Sequence, residues 1–402
     1  MSLSRRTRRI RLILVLVAVA WTLAEVVRVK HALVQETSTT SSEPTGALGR
    51  ERIYITALHW NNEWILRTAW ISALVELATA VGRENVFVSI QESGSWDDTK
   101  GALRFLDSQL ALHDIPRRIV LDDTTHLDEI SKPPAPQGWI QTPVGRKELR
   151  RVPYLANLRN LVMQPLYERR NAGFVYDKIL FLNDVVFTVS DIRRLLSTRQ
   201  GDYAAACSLD FKHPPDFYDT FALRDSEGHE GLTQAWPYFR SRASRHALKY
   251  SKPVPVTSCW NGIVAMDSSP FYAEPALTFR GIPDSLAMSH LEGSECCLIH
   301  ADNPLSSTRG VWLNPNVRVG YDPAAYAAVN PAESSWLSSF SIVAGLWKNR
   351  LLRWFTTPRF AENAVEKRLS RWEEQSSGNM EPGLFCLADE MQVLRDDGWA
   401  HR

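Results

Sequence analysis

The sequence predicts an α/β protein built on a mostly parallel sheet, and two observations carry that reading. Between residues 52 and 122, short β-like runs alternate with stretches of helical period. Further on, residues 178–182 form a continuous apolar run that ends abruptly in Asn183 and Asp184. Alternating strands and helices build a parallel sheet covered on both faces. A strand covered on both faces has no polar alternation, as here. Its carboxyl end is where open α/β sheets bind ligands, so Asp184 is either a site residue or only a cap on the next helix.

The elements follow in order. Residues 53–58 are β-like and end at His59, Trp60, Asn61 and Asn62. Ile71, Leu74, Val75, Ala78 and Val81 then recur at helical spacing, with Gly82 where a C-cap falls. Residues 86–90 are a second strand, and Asp97 or Asp98 caps a helix carrying Leu103, Leu106 and Leu110. Residues 118–121 are a third strand, ending at Asp122 and Asp123. The proline-rich stretch 132–138 is a surface loop. A helix follows with Pro153 in its first turn and Leu155, Leu158, Leu161 and Val162 on its apolar face. After the run at 178–182, residue 191 onward resumes helical spacing, and residues 203–207 form another strand leading to Asp210. Residues 212–245, rich in aromatics and charges without a period, are expected to be substrate-contacting loops.

At 402 residues the chain can bury one large core or two smaller ones, and a net charge of +1 gives no reason to expect a nucleic-acid partner. The basic excess is local. Arg5, Arg6, Arg8, Arg9 and Arg11 precede an apolar run at 12–24 that is followed by Glu25 and Arg28. As a helix, residues 12–27 span about 24 Å, short for an average bilayer but tolerable in a thin secretory-pathway membrane. The positive-inside rule puts residues 1–11 in the cytosol and the remainder in the lumen of the Golgi or endoplasmic reticulum. A cleaved signal peptide is the rival reading, although Ala18 and Ala20 lie inside the apolar run and no clear cleavage site follows. The expected organisation is thus a tail (1–11), a single-pass type II anchor (12–28), a stem (29–50), a large lumenal domain (51–330) and a Trp-rich helical extension (331–402). Residues 35–49, rich in Ser, Thr, Pro and Gly, suit a flexible stem. Trp336, Trp347, Trp354 and Trp372 are interleaved with Lys and Arg in the extension. That pattern suits a membrane surface or a polyanionic glycan, and more commonly a helix packed on its own domain. Of five cysteines, Cys296 and Cys297 are adjacent and read as a buried apolar pair, while an oxidising lumen permits one or two disulfides.

No P-loop, dinucleotide fingerprint, nucleophile elbow or zinc-spaced Cys/His array is present, which removes the common nucleotide-hydrolase, dehydrogenase and serine-hydrolase readings. What remains is polar groups at strand ends, together with residues 258–262 and 290–302. At this point the residues carry a resemblance. Residues 58–63, 154–165 with Arg159, 179–187, 202–211, 259–271 and 294–302 resemble, in order, the blocks of the fungal capsule-associated α-1,3-mannosyltransferases, glycosyltransferase family 69. The resemblance implies a GT-A-like, Rossmann-type mixed sheet with flanking helices and a retaining transferase that takes mannose from GDP-mannose to a glycan acceptor. Mn²⁺ or Mg²⁺ is the implied cofactor. Asp184, with Asn183 where most such enzymes have a first acid, would hold metal and donor, alongside Asn61, Asn62 and Arg159. Glu295 and Asp302 would be catalytic, Glu295 as a stabilising carboxylate or as a covalent nucleophile. His300 is an alternative metal ligand. Asp210, Trp260 and Asn261 would bind the acceptor. A relative lacking activity, acting in polysaccharide assembly or export, and a transferase of another sugar are the alternatives.

Overall fold

The structure, a computed structural model, describes residues 5–40, 48, 51–332 and 334–402. A long helix, α1 (Arg5–Thr40), leads the chain. It is followed by β1 (Ile53–His59), α2 (Glu63–Val81), β2 (Val86–Ser93), α3 (Thr99–Leu112) and β3 (Arg117–Asp122), in the alternation expected from the sequence. Next come α4 (Arg151–Asn171), β4 (Lys178–Leu182), α5 (Val189–Leu196), β5 (Ala205–His213), β6 (Arg224–Asp225) and α6 (Arg242–Lys249). The chain ends with β7 (Val254–Ser258), β8 (Ile263–Asp267), α7 (Glu295–Asp302), β9 (Val311–Gly320), α8 (Pro323–Val329), α9 (Ser339–Phe355), α10 (Arg359–Glu373) and short strands.

The main sheet has the order β3-β2-β1-β4-β8-β5-β9-β7-β6, with Asp216–Phe217 pairing off β5. β1 is parallel to β2 and β4, and β9 is parallel to β5. β8 lies antiparallel between β4 and β5, which makes the sheet mixed. This placement decides the site. The carboxyl ends of β1, β4, β5 and β9 and the amino end of β8 all reach the same edge.

The apolar run at 178–182 is apolar because both of its faces are covered. Ile179 and Phe181 join one core cluster, whereas Leu180 and Leu182 join the cluster on the opposite face. α4 covers the first face through Ala156, Val162, Met163 and Leu166, while Leu161, expected on its apolar side, is exposed. α2, α3 and α5 cover the second face. Gly82 ends α2 at φ 91°, as its position in the sequence predicts.

Three features depart from expectation. Cys297 is not paired in the core with Cys296 but bonds to Cys386, a second disulfide joins Cys207 to Cys259, and Cys296 stays a buried thiol. Cysteines 89 residues apart in sequence meet because the extension folds back onto α7. That extension is helical only in part. Beyond α10, Leu387–Ala388 pairs with Glu292–Gly293, and Gln392–Arg395 pairs with Gly398–His401. Finally, α1 continues to Thr40, well into the expected stem, and buries Val26, Val29 and Leu33 in the first core cluster. Residues 41–47, 49 and 50 of the stem lie outside the described residues.

Candidate active site

The edge between β1 and β4 is tied together by side chains from each. Asn62 donates from Nδ2 to Asp184 Oδ2 (3.0 Å), while its Oδ1 accepts from the Trp60 backbone (3.0 Å) and from His59 Nδ1 (3.2 Å). Its own backbone N–H is held by Thr99 at the start of α3 (2.7 Å). Asn183 contributes its main chain. Its carbonyl accepts from the Trp70 indole (3.0 Å), and its N–H donates to Gly262 (2.9 Å). Trp70 ends a π turn in α2, Leu66–Trp70, a local widening common beside functional sites. Asp184 does not cap α5, a job done by Thr188 and Asp191. Burial pushes the Asp184 carboxyl up to about 6. Asn61 makes its bonds to the 95–96 turn instead. Its backbone, at φ 53°, bonds Ser95, and its Oδ1 accepts from Trp96.

Below this edge lies a buried carboxylate cluster. Asp210 accepts from Asn261 Nδ2 (2.8 Å) and from the Tyr321 hydroxyl (3.0 Å). Burial, with Asp219 close by, pushes Asp210 up to about 7, and burial raises Asp219 as well. The Tyr321 hydroxyl is pushed far up by burial and then by the charges of Asp210, Asp184 and Asp219. Like charges in one buried cluster oppose each other's ionisation. Gly262 allows the packing. It sits at φ 82°, and a Cβ there would lie 2.4 Å from Val319 and 3.3 Å from Asp210. The Cys207–Cys259 bond ties β5, which carries Asp210, to the turn carrying Trp260 and Asn261.

On the α4 side, Arg159 donates from Nε to Glu295 Oε1 (3.1 Å), and its guanidinium lies 4.6 Å from the Trp260 ring centre. Glu295 opens α7 and also accepts from the Cys296 thiol. Burial opposes the Arg159 charge, but its acidic neighbours keep the guanidinium raised above its ordinary range. The result is a cation held between a carboxylate and an aromatic face.

A family model described as cryptococcal mannosyltransferase 1 matches residues 52–302. The chain belongs to that family. It is therefore a glycosyltransferase of a mannosyltransferase family, and the matched stretch encloses Asn62, Arg159, Asp184, Asp210 and Glu295. No curated protein matches the sequence. Among solved structures, it is similar to the mannosyltransferase PcManGT from Pyrobaculum calidifontis, in complex with GDP-Man and Mn²⁺. Identity is 12%, covering 90% of this chain and 88% of that one, with a TM-score of 0.37. It is also similar to residues 1–349 of S. aureus TarS, at 9% identity, 81% and 82% coverage and a TM-score of 0.40.

Within this family member, Asn62 meets Asp184 beside Asn183 at the β1–β4 edge and Arg159 pairs with Glu295 on the α4 side, whereas several other expected site residues are placed differently. Trp260 is 2% exposed, packed against Phe181 and Phe279 and faced by Arg159, so it offers no free ring to a sugar. Asn261 and Asp210 are fully buried; Asn261 Nδ2 donates to Asp210 and to the Asp219 carbonyl, and Asp210 also accepts from Tyr321, while the Asn261 Oδ1 is buried without a partner. These three build the floor rather than an acceptor surface. His300 is buried and donates from Nε2 to the Cys259 carbonyl (2.8 Å), and burial holds it near 4. It positions the disulfide turn. Asp302, at the far end of α7 and about 10 Å from Glu295 along the helix, forms a paired ion bridge with Arg280, which also binds Glu381. That pairing makes it structural. Asp219 and Tyr321 were not foreseen individually. Asp219 falls in the loop region expected to contact substrate, but Tyr321 had no local signal.

Among the described residues no group of three or more His, Cys, Asp or Glu is arranged to hold a metal. The oxygen donors at Asp184 still suit Mg²⁺ or Mn²⁺ bound mainly through a substrate, since such ions often take one or two carboxylates and complete their shell with phosphate oxygens and water. The buried carboxyl, raised to about 6, is a group that a neighbouring cation would ionise.

Proposed function

We propose that this chain transfers mannose from GDP-mannose to a glycan acceptor with retention, as an α-1,3-mannosyltransferase anchored in the Golgi or endoplasmic reticulum membrane with its domain in the lumen. The observation that carries the reading is the Asp184 carboxyl held by Asn62 at the carboxyl ends of β4 and β1, and the Arg159–Glu295 pair between α4 and α7 supports it. Asp184 would hold Mn²⁺ or Mg²⁺ against the diphosphate, and the ion would offset the charge that grows on the leaving group. Asn62 fixes the Asp184 carboxylate by its hydrogen bond. Arg159 would be the cation that meets phosphate oxygens, and Glu295 orients it.

Glu295 is 3% exposed and already engaged by Arg159 and Cys296, which favours a same-face displacement over a covalent intermediate on that carboxylate. In that step the acceptor oxygen bonds to the anomeric carbon as the bond to phosphate breaks. The bonding pair leaves with the diphosphate, whose oxygen takes the acceptor's proton. Asp210 and its neighbours keep the floor rigid beneath the sugar.

The test is turnover by the full chain in detergent micelles, with Mn²⁺ and a panel of nucleotide sugars. The expected result is slow hydrolysis or transfer from GDP-mannose in preference to the other donors, lost in a folded Asp184→Ala variant. Preference for another donor would overturn the sugar assignment. A folded chain that neither binds nor consumes any donor would overturn the enzyme reading in favour of an assembly or export role.

A further inference from the structure

We propose that a cleft between α1, α6 and α9 binds the phosphate headgroup of an anionic phospholipid, seating the domain in the membrane surface instead of suspending it from a tether. The inference rests on the membrane-anchor reading above and adds to it a lipid site.

The first argument is length. Residues 10–17 of α1 stand exposed, but Thr22, Val26, Val29 and Leu33 are buried against the domain. The part clear of the domain, residues 10–20, is about 16 Å long. The apolar span of residues 12–27 is about 24 Å, suited to a thin secretory-pathway membrane. The span must therefore include the first docked turns, and Trp21 and Glu25 lie within two turns of its lumenal end. The outer face of the docked part is suited to lipid, with Leu23, Val27 and Val34 exposed at 59%, 68% and 54%. The domain packed on its inner face is drawn down with it. At that level α9 and α10 present Trp354, Phe355 and Phe360, exposed at 57%, 80% and 83%. Such a patch at a helix–helix corner suits the amphipathic boundary of a membrane.

The second argument is charge. The cleft, of about 290 Å³, is lined by Arg245, Lys249, Arg350 and Arg353 against one acid, Glu25 of α1. Glu25 is already shared between Lys249 (2.5 Å) and Arg350. Arg350 is 4% exposed, lies between the rings of Trp21 (4.1 Å) and Trp347 (4.9 Å), and keeps a buried Nη1 with no partner. Burial and then the nearby Arg353 charge hold Arg245 down near 10. An excess of cations around one unpaired guanidinium nitrogen, at the depth of the headgroups, is a phosphate site. Trp21 and Trp354 line the same cleft and flank the acyl side.

The experiment uses the full chain in detergent micelles, titrated calorimetrically with dioctanoyl phosphatidylinositol 4-phosphate, dioctanoyl phosphatidylcholine or inorganic phosphate. Saturable binding of the anionic lipid is expected. Arg353→Gln should weaken it about fivefold and Arg245→Gln with Arg353→Gln about 25-fold. The variants are accepted as folded when their melting temperatures without lipid match the parent. Arg353→Gln provides the decisive comparison if the double variant does not fold, because Arg245 also bonds the carbonyls of Arg240 and Ser241. Equal binding of inorganic phosphate, equal binding of phosphatidylcholine, or unchanged lipid affinity in folded Arg353→Gln overturns the site. Alkaline extraction of the chain from phosphatidylcholine vesicles separates the two claims. Release from vesicles overturns the anchor, whereas retention with a failed titration overturns the lipid site alone.

Discussion

Replacing Asp184 by Asn should make this protein more stable while abolishing its activity. The carboxyl sits in a site that raises it from 3.8 to about 6, chiefly by burial. A carboxyl raised on folding gives stability that is fully present below about 3.8 and is lost as pH rises through 6. At neutral pH that loss is about 3 kcal/mol for the full rise, and about 2 kcal/mol once residual solvent contact is allowed for. Asparagine keeps the shape and can still accept the Asn62 N–H through its carbonyl oxygen, but it carries no charge to desolvate. In a chain of this size 2 kcal/mol corresponds to about 2–3 °C. Thermal unfolding of the full chain in micelles, with EDTA present, should show Asp184→Asn melting higher at pH 7.5. The gap should close as pH approaches 4. A variant that melts at or below the parent at pH 7.5, or a gap that does not depend on pH, would refute the reasoning that burial strains this carboxylate.

Three further outcomes are expected. Gly262→Ala places a methyl 2.4 Å from Val319 at a φ of 82°, so urea unfolding should show a loss of about 2–4 kcal/mol, and a neutral result would mean the turn is freer than it looks. His300 is held near 4, below its ordinary 6.5, so its contribution is present above 6.5 and fades as pH falls through 4, a loss of about 3 kcal/mol. His300→Asn should flatten the fall in melting temperature between pH 7 and 4 but not abolish it, because buried His59, also near 4, acts in the same direction. Deleting residues 1–20 should leave stability intact, whereas deleting 1–35 removes buried Val26, Val29 and Leu33 and should cost up to about 5 kcal/mol. Equal melting of the two truncated chains would contradict the docking of α1.

The parts legible in the sequence were those written locally. The run at 178–182 announced a strand covered on both faces, and its abrupt polar end marked Asn183 and Asp184, because hydrophobic burial imprints a period on neighbouring residues. Gly82 and the Leu103, Leu106, Leu110 stripe were readable for the same reason. Pairings across the chain were not. Asp302 resembles a catalytic acid until Arg280 and Glu381 close on it, the latter from 79 residues farther along the chain. Trp260 resembles a sugar platform until Arg159, a hundred residues earlier, occupies its face. His300 carried no local sign that a carbonyl beside a disulfide would claim it. The adjacency of Cys296 and Cys297 suggested a shared environment, yet α7 presents one to Glu295 and the other to the returning extension.

The central claim is that Asp184 links a divalent ion to the diphosphate of the donor. The direct measurement is phosphorus NMR of GDP bound to the full chain, titrated with paramagnetic Mn²⁺. Strong broadening of the β-phosphate at low Mn²⁺ in the parent, greatly reduced in Asp184→Asn at equal GDP occupancy, is the expected result. Equal broadening in both proteins, or none in the parent, would place the metal elsewhere or remove it from the reaction.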